Sequence, residues 1–586
     1  ADGDASKDET TRVWVIPVDG GAAFPLYRDN LDAHAFAWSA DGKSIDFSAT
    51  LPLSKDQQTA QQAKWKDVIR WRERERGDVL LAIPVEAAAQ ESTAVPLPHP
   101  AEQLSKDSEP KLPKNAKILA HSSLEIDEIA PSPDGGQIAF ESGPPVHRLE
   151  DPSNYEMFLV STDGGEPKQV THNNGLETAL TWSGDSRLLY FSVRAGAGSA
   201  DGPYRDLQGR IYTLDPVSGA VTRLGADFQG SWEDFTVTSG GEVIAAGLTG
   251  LEQHLYKITG AKYDVVGAVP GTYAKVAAAP HGAGVVFTHS TINNPTQLYF
   301  ADDIADLGTA RPITNLNAVF QQRGQVEWTP YKWKSTDGTE IEGVLIYPPG
   351  KKGEKHLRML TLIHGGPEDA DGNHFGADWY DWATLAASDG WLVFRPNYRG
   401  SSGYGDAFLQ SIVPHIVSAP GRDILSGVDA LVKDGIADPD RLTIGGYSYG
   451  GYMTNWLITQ TTRFKAAVTG AGAVEHAANW GNDDLTYDDA WYLSGTPWEK
   501  PDLYQSEAAL FQLNKVTTPT HIVGGSVDVR VSWFEQTLLE RALQKLNVPH
   551  TLLLFPGENH PLDKNPWHGY IKVREELKWL NQYVPQ

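Results

Sequence analysis

Ser448 stands in the pentapeptide Gly446-Tyr447-Ser448-Tyr449-Gly450, between the β-type run Arg441-Leu442-Thr443-Ile444 and a helix-like run from Gly451 through Trp456. At a strand-to-helix junction G-x-S-x-G reads as a nucleophile elbow, a turn so tight that one side chain is pushed out into an exposed, strained position. Glycine on both sides removes the Cβ atoms that would clash there. With 57 glycines in 586 residues the pentapeptide arises readily by chance, so its meaning depends on partners elsewhere in the chain. A serine hydroxyl needs a histidine to take its proton and a carboxylate to orient that histidine. In a sheet-based hydrolase these follow in the order Ser, Asp or Glu, His, each on a loop after a strand.

Downstream, Pro519-Thr520-His521-Ile522-Val523-Gly524-Gly525 reads as a buried strand that opens onto Ser526-Val527-Asp528, and Thr551-Leu552-Leu553-Leu554-Phe555-Pro556 opens onto Gly557-Glu558-Asn559-His560. Asp528 and His560 therefore occupy matching strand-end positions. Upstream, the run Met359-Leu360-Thr361-Leu362-Ile363 breaks into His364-Gly365-Gly366-Pro367, an oxyanion-loop pattern. The N–H groups of Tyr449 and Gly366 are the expected donors to a tetrahedral oxyanion. Four such features in the right order, each after a strand, predict a serine hydrolase that works through an acyl-enzyme and needs no cofactor.

From about Trp328 onward the chain resembles the catalytic domain of the prolyl oligopeptidase family of serine peptidases. The resemblance rests on His364-Gly365-Gly366-Pro367, Asn397-Tyr398-Arg399-Gly400-Ser401-Ser402-Gly403-Tyr404-Gly405, Gly445-Gly446-Tyr447-Ser448-Tyr449-Gly450-Gly451-Tyr452 and Asp528-Val529-Arg530-Val531. These phrases are closer to the acylaminoacyl and dipeptidyl peptidase branches than to prolyl oligopeptidase itself. One departure is Pro561, where many relatives carry glycine after the histidine. The resemblance implies hydrolysis of short peptides, either as an exopeptidase releasing dipeptides or acylated amino acids or as an oligopeptidase. It also implies that Arg530, with Val531 beside it, holds a substrate carbonyl, and that the Tyr449 ring, Trp480 and Tyr492 line the first side-chain pocket. In dipeptidyl peptidases an acidic pair on a propeller insertion captures the substrate amine, and Glu73 and Glu75 are the candidates here. Residues two apart do not share a helical face, however, and a solvated, ion-paired helix end is the favoured reading of them. Glu233-Asp234 is a weaker candidate of the same kind.

The first half repeats. Strand phrases ending in turns recur at Arg12 to Gly21, Met157 to Gly165 and Ile211 to Gly219, with degenerate copies near Val79, Leu255 and Leu298. A second phrase recurs as Trp38-Ser39-Ala40-Asp41-Gly42, Pro131-Ser132-Pro133-Asp134-Gly135 and Trp182-Ser183-Gly184-Asp185-Ser186. Asp-Gly between alternating apolar runs is a hairpin signal, and a spacing of roughly 40 to 55 residues is that of a four-stranded propeller blade. The expected architecture is a β-propeller of six or seven blades over residues 1–325, followed by an α/β-hydrolase domain over 326–586. In the family such a propeller restricts entry to short or unfolded chains.

Between Phe47 and Val79 the rhythm breaks, and Trp65, Val68, Ile69 and Arg72 are spaced for one helical face. Residues 96–117, rich in proline, serine and charge, read as an exposed loop. His364 is expected to make a structural hydrogen bond, Asp423 to be a structural acid, and His415, His476 and His568 show no metal-ligand spacing.

The net charge of -26 disfavours nucleic acid and anionic membranes as partners, and no apolar run approaches the ~20 residues of a membrane span. With no cysteine the chain has neither disulfides nor cysteine-held metals, which leaves the compartment open. The polar N-terminus shows no signal pattern, and the lean towards a periplasmic or secreted protein comes from the resemblance, as does assembly into homo-oligomers. Two rival readings share these residues: a carboxylesterase of the same fold, and a non-catalytic binding protein whose propeller is the working part.

Overall fold

The computed structural model describes residues 11–586 except 30, 52, 69, 71, 73–75, 95–111, 145–147, 152–153, 173–174, 195–207, 268, 281 and 324. Packing divides the chain into two compact units, one made of Gly225–Gln586 with the short segment at Gln208 and Gly209, the other of Arg210–Leu224 and the described residues up to and including Arg194.

The second of these units consists of antiparallel meanders. One four-stranded sheet runs Asp32–Trp38, Ser44–Thr50, Val79–Pro84 and Lys117–His121; a second spans Glu125 to Gln169 and a third Leu176 to Leu224. A two-stranded pair, Trp14–Val15 with Phe24–Pro25, precedes them. The repeated turn phrase has one hydrogen-bond scheme in all three copies. Ser39, Ser132 and Ser183 each donate to the aspartate two residues on, at 2.9, 2.7 and 2.8 Å, and that aspartate accepts the N–H of Lys43, Gly136 or Arg187. The residue after the aspartate has positive φ each time: 68° at Gly42, 72° at Gly135 and 59° at Ser186. The side-chain bonds make the turn tolerable even where serine replaces glycine.

The helix predicted from Trp65 lies elsewhere, over Lys55–Trp65. Ser54 and Gln57 close a capping box at its start, and Lys66, at φ 59°, ends it where the predicted stripe would begin. Of the stripe, Val68 and Arg72 are exposed and Ile69 lies outside the described residues, and periodicity without a covering surface does not hold a helix. Glu73 and Glu75 lie outside the described residues, as do 96–111 of the expected loop 96–117, and a helix over Val85–Ala94 precedes them.

In the larger unit two further meanders, Ser231 to Gly267 and Thr272 to Pro312, are joined by one parallel pairing, Gln253 with Thr272. The described residues thus hold five four-stranded meanders. The eight-stranded mixed sheet begins at Glu327 and has the order Glu327–Lys334, Glu340–Tyr347, Leu392–Asn397, Leu357–Ile363, Ala437–Tyr447, Ala467–Gly470, Thr520–Gly525, His550–Phe555. The first two pairings are antiparallel and the remaining five parallel. Its inner strands, Leu357–Ile363, Leu392–Asn397, Ala467–Gly470 and Thr520–Gly525, are buried on both faces, as helices on either side require. Met359 and Ile363 pack with the helices Ser418–Lys433, Tyr449–Gln460 and Trp533–Leu546, whereas Leu360 and Leu362 pack with Ala383–Ser388 and Pro566–Tyr583. No helix among the described residues is long and apolar enough to cross a membrane.

Candidate active site

Ser448 follows the strand Ala437–Tyr447 and caps the helix Tyr449–Gln460, at φ 59° and ψ -126°. A non-glycine residue held there costs about 1–3 kcal/mol, sustained only by surroundings that over-determine it. Those surroundings are visible: Ser448 N–H donates to Gly470 O at 2.9 Å, and Tyr452 N–H donates to Ser448 O at 2.9 Å. The flanking glycines are required by close backbone approach. A Cβ at Gly446 would stand 2.5 Å from Gly450 C, and one at Gly450 would stand 2.2 Å from Ile363 O.

His560 Nε2 lies 2.9 Å from Ser448 Oγ, and His560 Nδ1 lies 2.8 Å from Asp528 Oδ2. Asp528 is buried, and its other oxygen accepts the N–H groups of Arg530 and Val531, both at 2.9 Å. The carboxylate is thus fixed in the orientation that holds Nδ1 protonated and leaves Nε2 to accept from the serine. Asn559, next to His560, carries no sequence signal for the bonds it makes. Its Oδ1 accepts the N–H of His560 at 2.8 Å and of Val529 at 3.0 Å, stitching the two loops together. Buried Glu558 accepts from Lys564 and Asn565 N–H groups and lies 2.5 Å from His568 Nδ1.

The loop His364 to Pro367 continues the strand Leu357–Ile363, and a Cβ at Gly365 would be 3.5 Å from Ser448 Cβ. Gly365 N–H donates to Tyr380 Oη at 2.8 Å, and that hydroxyl donates to Asp369 at 3.0 Å. Burial first, then the Asp369 charge, raises the Tyr380 pKa well above the ordinary phenol, which preserves it as a donor. With Gly365 N–H committed, the next amide in the loop is that of Gly366. Tyr449 N–H sits at the first position of its helix, where an amide has no acceptor within the helix.

The Asn397 to Gly405 phrase supports that same loop. Asn397 exchanges two 2.8 Å hydrogen bonds with the Asp371 backbone, and Tyr398 Oη donates to His364 O at 2.9 Å. His364 Nε2 lies 3.0 Å from Ser401 Oγ, so this imidazole is engaged in holding the loop. Arg399 donates through N, Nε and Nη2 to buried Asp423, which places that acid in the scaffold.

The residues expected to bind substrate are placed differently from one another. Arg530 does not present a free guanidinium: Nε and Nη2 both donate to Asp484, the latter at 3.1 Å. Burial would lower its pKa, but the Asp484 carboxylate more than reverses this. Asp484 lies 46 residues upstream and carries no sequence signal for this pairing. Val531 is buried. Tyr449 is only 6% exposed and its hydroxyl donates to Ile416 O, so the ring serves the core and its N–H is the part free for chemistry. Tyr492 is buried in the same apolar cluster, whereas Trp480 is half-buried and meets exposed Trp498 edge-on at 5.0 Å. Beneath this segment Asn479 Nδ2 donates to Asp483 at 2.7 Å and to Asp489 at 3.0 Å, and His476 lies 3.1 Å from Asp489. Burial first, then the Asp489 charge, raise the Asp483 pKa above the ordinary carboxylate value. Asp234 accepts Val276 N–H at 2.8 Å and lies 3.4 Å from Lys275, a structural use.

Residues 378–586 match the model of the prolyl oligopeptidase family. A probable dipeptidyl-peptidase 5 from Emericella nidulans is 27% identical over 77% of this chain and 64% of its own length. The acylamino-acid-releasing enzyme of Arabidopsis thaliana is 32% identical over 41% of this chain and 32% of its own. The chain spans less than two thirds of the length of the curated relatives it matches first, 64%, 38% and 48%. Among solved structures, the acylaminoacyl peptidase of Pyrococcus horikoshii superposes with a TM-score of 0.76 over 98% of this chain and 85% of that one. At 18% identity that likeness concerns the fold. The matched region carries the elbow serine, the aspartate and the histidine at the ends of parallel strands, and it is over this region that the chain is similar to the prolyl oligopeptidase family.

Proposed function

We propose that this protein is a serine peptidase that hydrolyses short peptides through an acyl-enzyme. The reading is carried by one observation, the continuous hydrogen-bonded line from Ser448 Oγ to His560 Nε2 at 2.9 Å and from His560 Nδ1 to Asp528 at 2.8 Å. Ser448 Oγ attacks the scissile carbonyl while His560 Nε2 takes its proton. Asp528 stabilises the resulting imidazolium, and the N–H groups of Gly366 and Tyr449 receive the oxyanion. The C–N bond then breaks as His560 returns the proton to the leaving amine. Water, deprotonated by the same imidazole, attacks the ester, and Ser448 leaves with the proton restored.

Arg530, steadied by Asp484, offers its remaining Nη1 donors to a substrate carbonyl. The names of the relatives, dipeptidyl-peptidases and an acylamino-acid-releasing enzyme, favour cleavage near a peptide's N-terminus. We read residues 1–325 as a β-propeller governing substrate access and 326–586 as the catalytic α/β-hydrolase domain. The repeated turn scheme and the five meanders support the first reading, and the sheet that begins at Glu327 supports the second.

The test is mass spectrometry of products from one peptide series offered with a free, an acetylated and an extended N-terminus, with Ser448→Ala as control. Dipeptides from the free series alone make a dipeptidyl peptidase, and acylated residues from the second an acylaminoacyl peptidase. Internal cuts in all three make an oligopeptidase. Turnover that survives in Ser448→Ala, or esters cleaved with every peptide untouched, refutes the proposal.

A further inference from the structure

The residue before the nucleophile makes a direct bond to the base. Tyr447, the second residue of the elbow, donates from Oη to the main-chain carbonyl of His560 at 3.0 Å, across 113 residues of sequence. Tyr447 is 4% exposed, and its ring meets Trp379 edge-on at 4.9 Å and the His560 ring at 5.4 Å. Lys572, 2% exposed, stands over this ring with Nζ 5.3 Å from its centre. That ammonium is held by Trp379 O at 3.0 Å and by Glu576, equally buried, at 2.8 Å. A cavity of about 30 Å³, lined by Tyr447, Lys572, Glu576 and His364 among others, lies alongside.

A buried ammonium–carboxylate pair is a costly element, often matched or bettered in stability by apolar side chains of the same volume. Here it holds an aromatic ring from below through the attraction of a cation for a π face. Lys572 sits on the helix Pro566–Tyr583, whose first residue comes six positions after His560, so the chain leaves the catalytic loop and turns back beneath Tyr447. The base is therefore fastened on both sides of its own backbone, its N–H by Asn559 and its C=O by Tyr447. Only the second of these ties leads to the strand that carries the nucleophile.

We propose that Tyr447 is a positioning residue which locks the His560 backbone to the Ser448 strand, with the Lys572–Glu576 pair holding its ring in place. The inference rests on the serine-hydrolase reading above. Such a tie matters because His560 must accept a proton from Ser448 and then deliver it to a leaving group nearby, and a misplacement of about 1 Å can cost on the order of 100-fold in rate. Loss of one neutral hydrogen bond from an otherwise anchored loop produces a smaller displacement.

The test is the rate constant of Ser448 modification by a fluorophosphonate probe, expressed per reactive site from the final stoichiometry, together with kcat and KM on a cleaved peptide. Tyr447→Phe is expected to slow modification and kcat about tenfold with KM within about twofold and stoichiometry unchanged. Lys572→Met combined with Glu576→Leu, which keeps the hydroxyl and removes the charges beneath the ring, is expected to slow modification at least about threefold. This pair of substitutions serves as the readout should Tyr447→Phe not fold. Parent-like rates per reactive site, including the case of a lowered Tm or a reduced reactive fraction with an unchanged rate, overturn the proposal. Probe incorporation into Ser448→Ala would instead overturn the hydrolase reading and this inference with it.

Discussion

Gly450→Ala sets two opposed effects against each other at the elbow. Gly450 is the second residue of the helix Tyr449–Gln460 and its φ is not in the left-handed region, so alanine meets no backbone penalty and by helix propensity alone stabilises by about 1 kcal/mol. The new methyl, however, would stand 2.2 Å from Ile363 O, 3.0 Å from Ile363 C and 2.9 Å from His364 O, where ordinary contact begins at 3.4 Å. Relief demands a shift of about 1 Å, from 3.4 − 2.2, and every atom in the way is main chain at the start of the His364 to Pro367 loop. Overpacking of this kind costs about 1–3 kcal/mol, so the clash outweighs the propensity and Tm falls. The displaced segment leads into Gly366, and moving an oxyanion donor by that distance is expected to lower kcat about 100-fold or more, with a smaller change in KM. Steady-state kinetics on a cleaved peptide, probe modification rates and a thermal melt read all three quantities. A variant with kcat within about threefold of the parent and a raised Tm would refute the reasoning, because the helix would then have absorbed the methyl without disturbing the loop.

Two further outcomes follow from the polar groups around the site. Asp484→Asn removes the charge that holds Arg530 by two of its donors and is expected to raise KM about three- to tenfold with kcat changed less; a fall confined to kcat contradicts a substrate-binding role for Arg530. Glu535 is 1% exposed, and burial, opposed by the Val474 and Glu475 N–H groups it accepts, raises its pKa to about 7 from 4.5. A carboxyl whose folded pKa is raised contributes stability that is complete below about pH 4.5 and lost as pH rises to about 7. The size of the loss is (7 − 4.5) × ~1.36, or about 3 kcal/mol. Glu535→Gln keeps an acceptor for Val474 N–H, so denaturant melts at pH 5 and pH 8 should show the parent losing about 2.5 kcal/mol more than the variant, and parallel losses would exclude the titration.

What was legible in the sequence was whatever leaves a local trace. Ser448, Asp528 and His560 each follow an apolar run ending in glycine or a short polar loop, because a parallel sheet presents its chemistry at strand ends, and that grammar is written within ten residues of each group. The Ser-x-Asp turns were legible for the same reason, since their hydrogen bonds close within five residues. The helix lies over Lys55–Trp65 rather than at the apolar stripe because apolar spacing describes a face without saying whether anything covers it, and the capping box at Ser54 and Gln57 is the better local signal. Tyr380, Asn559 and Asp484 were missed because their importance lies in partners 15, 30 and 46 residues away, a distance over which residue type alone specifies no pairing.

The phrase Asn397 to Gly405 carries family character yet none of its side chains touches Ser448, His560 or Asp528 by any hydrogen bond in the structure. Its role follows from where its bonds end. Asn397 holds the Asp371 backbone, Tyr398 holds His364 O, Ser401 meets the His364 ring, and Arg399 anchors the phrase itself on Asp423, which is wholly buried. Removing either partner of such a buried pair leaves an uncompensated charge at a cost of about 3–5 kcal/mol, so the geometry is stiff to small disturbances. An apolar core would place the His364 to Pro367 loop only as well as side chains pack. A hydrogen-bonded scaffold adds direction to that placement, and direction is what an amide aimed at a developing oxyanion requires. Substitutions at Asn397 or Tyr398 should accordingly behave as losses of rate that leave the nucleophile and base intact, separating the stabilisation of the intermediate from the activation of Ser448.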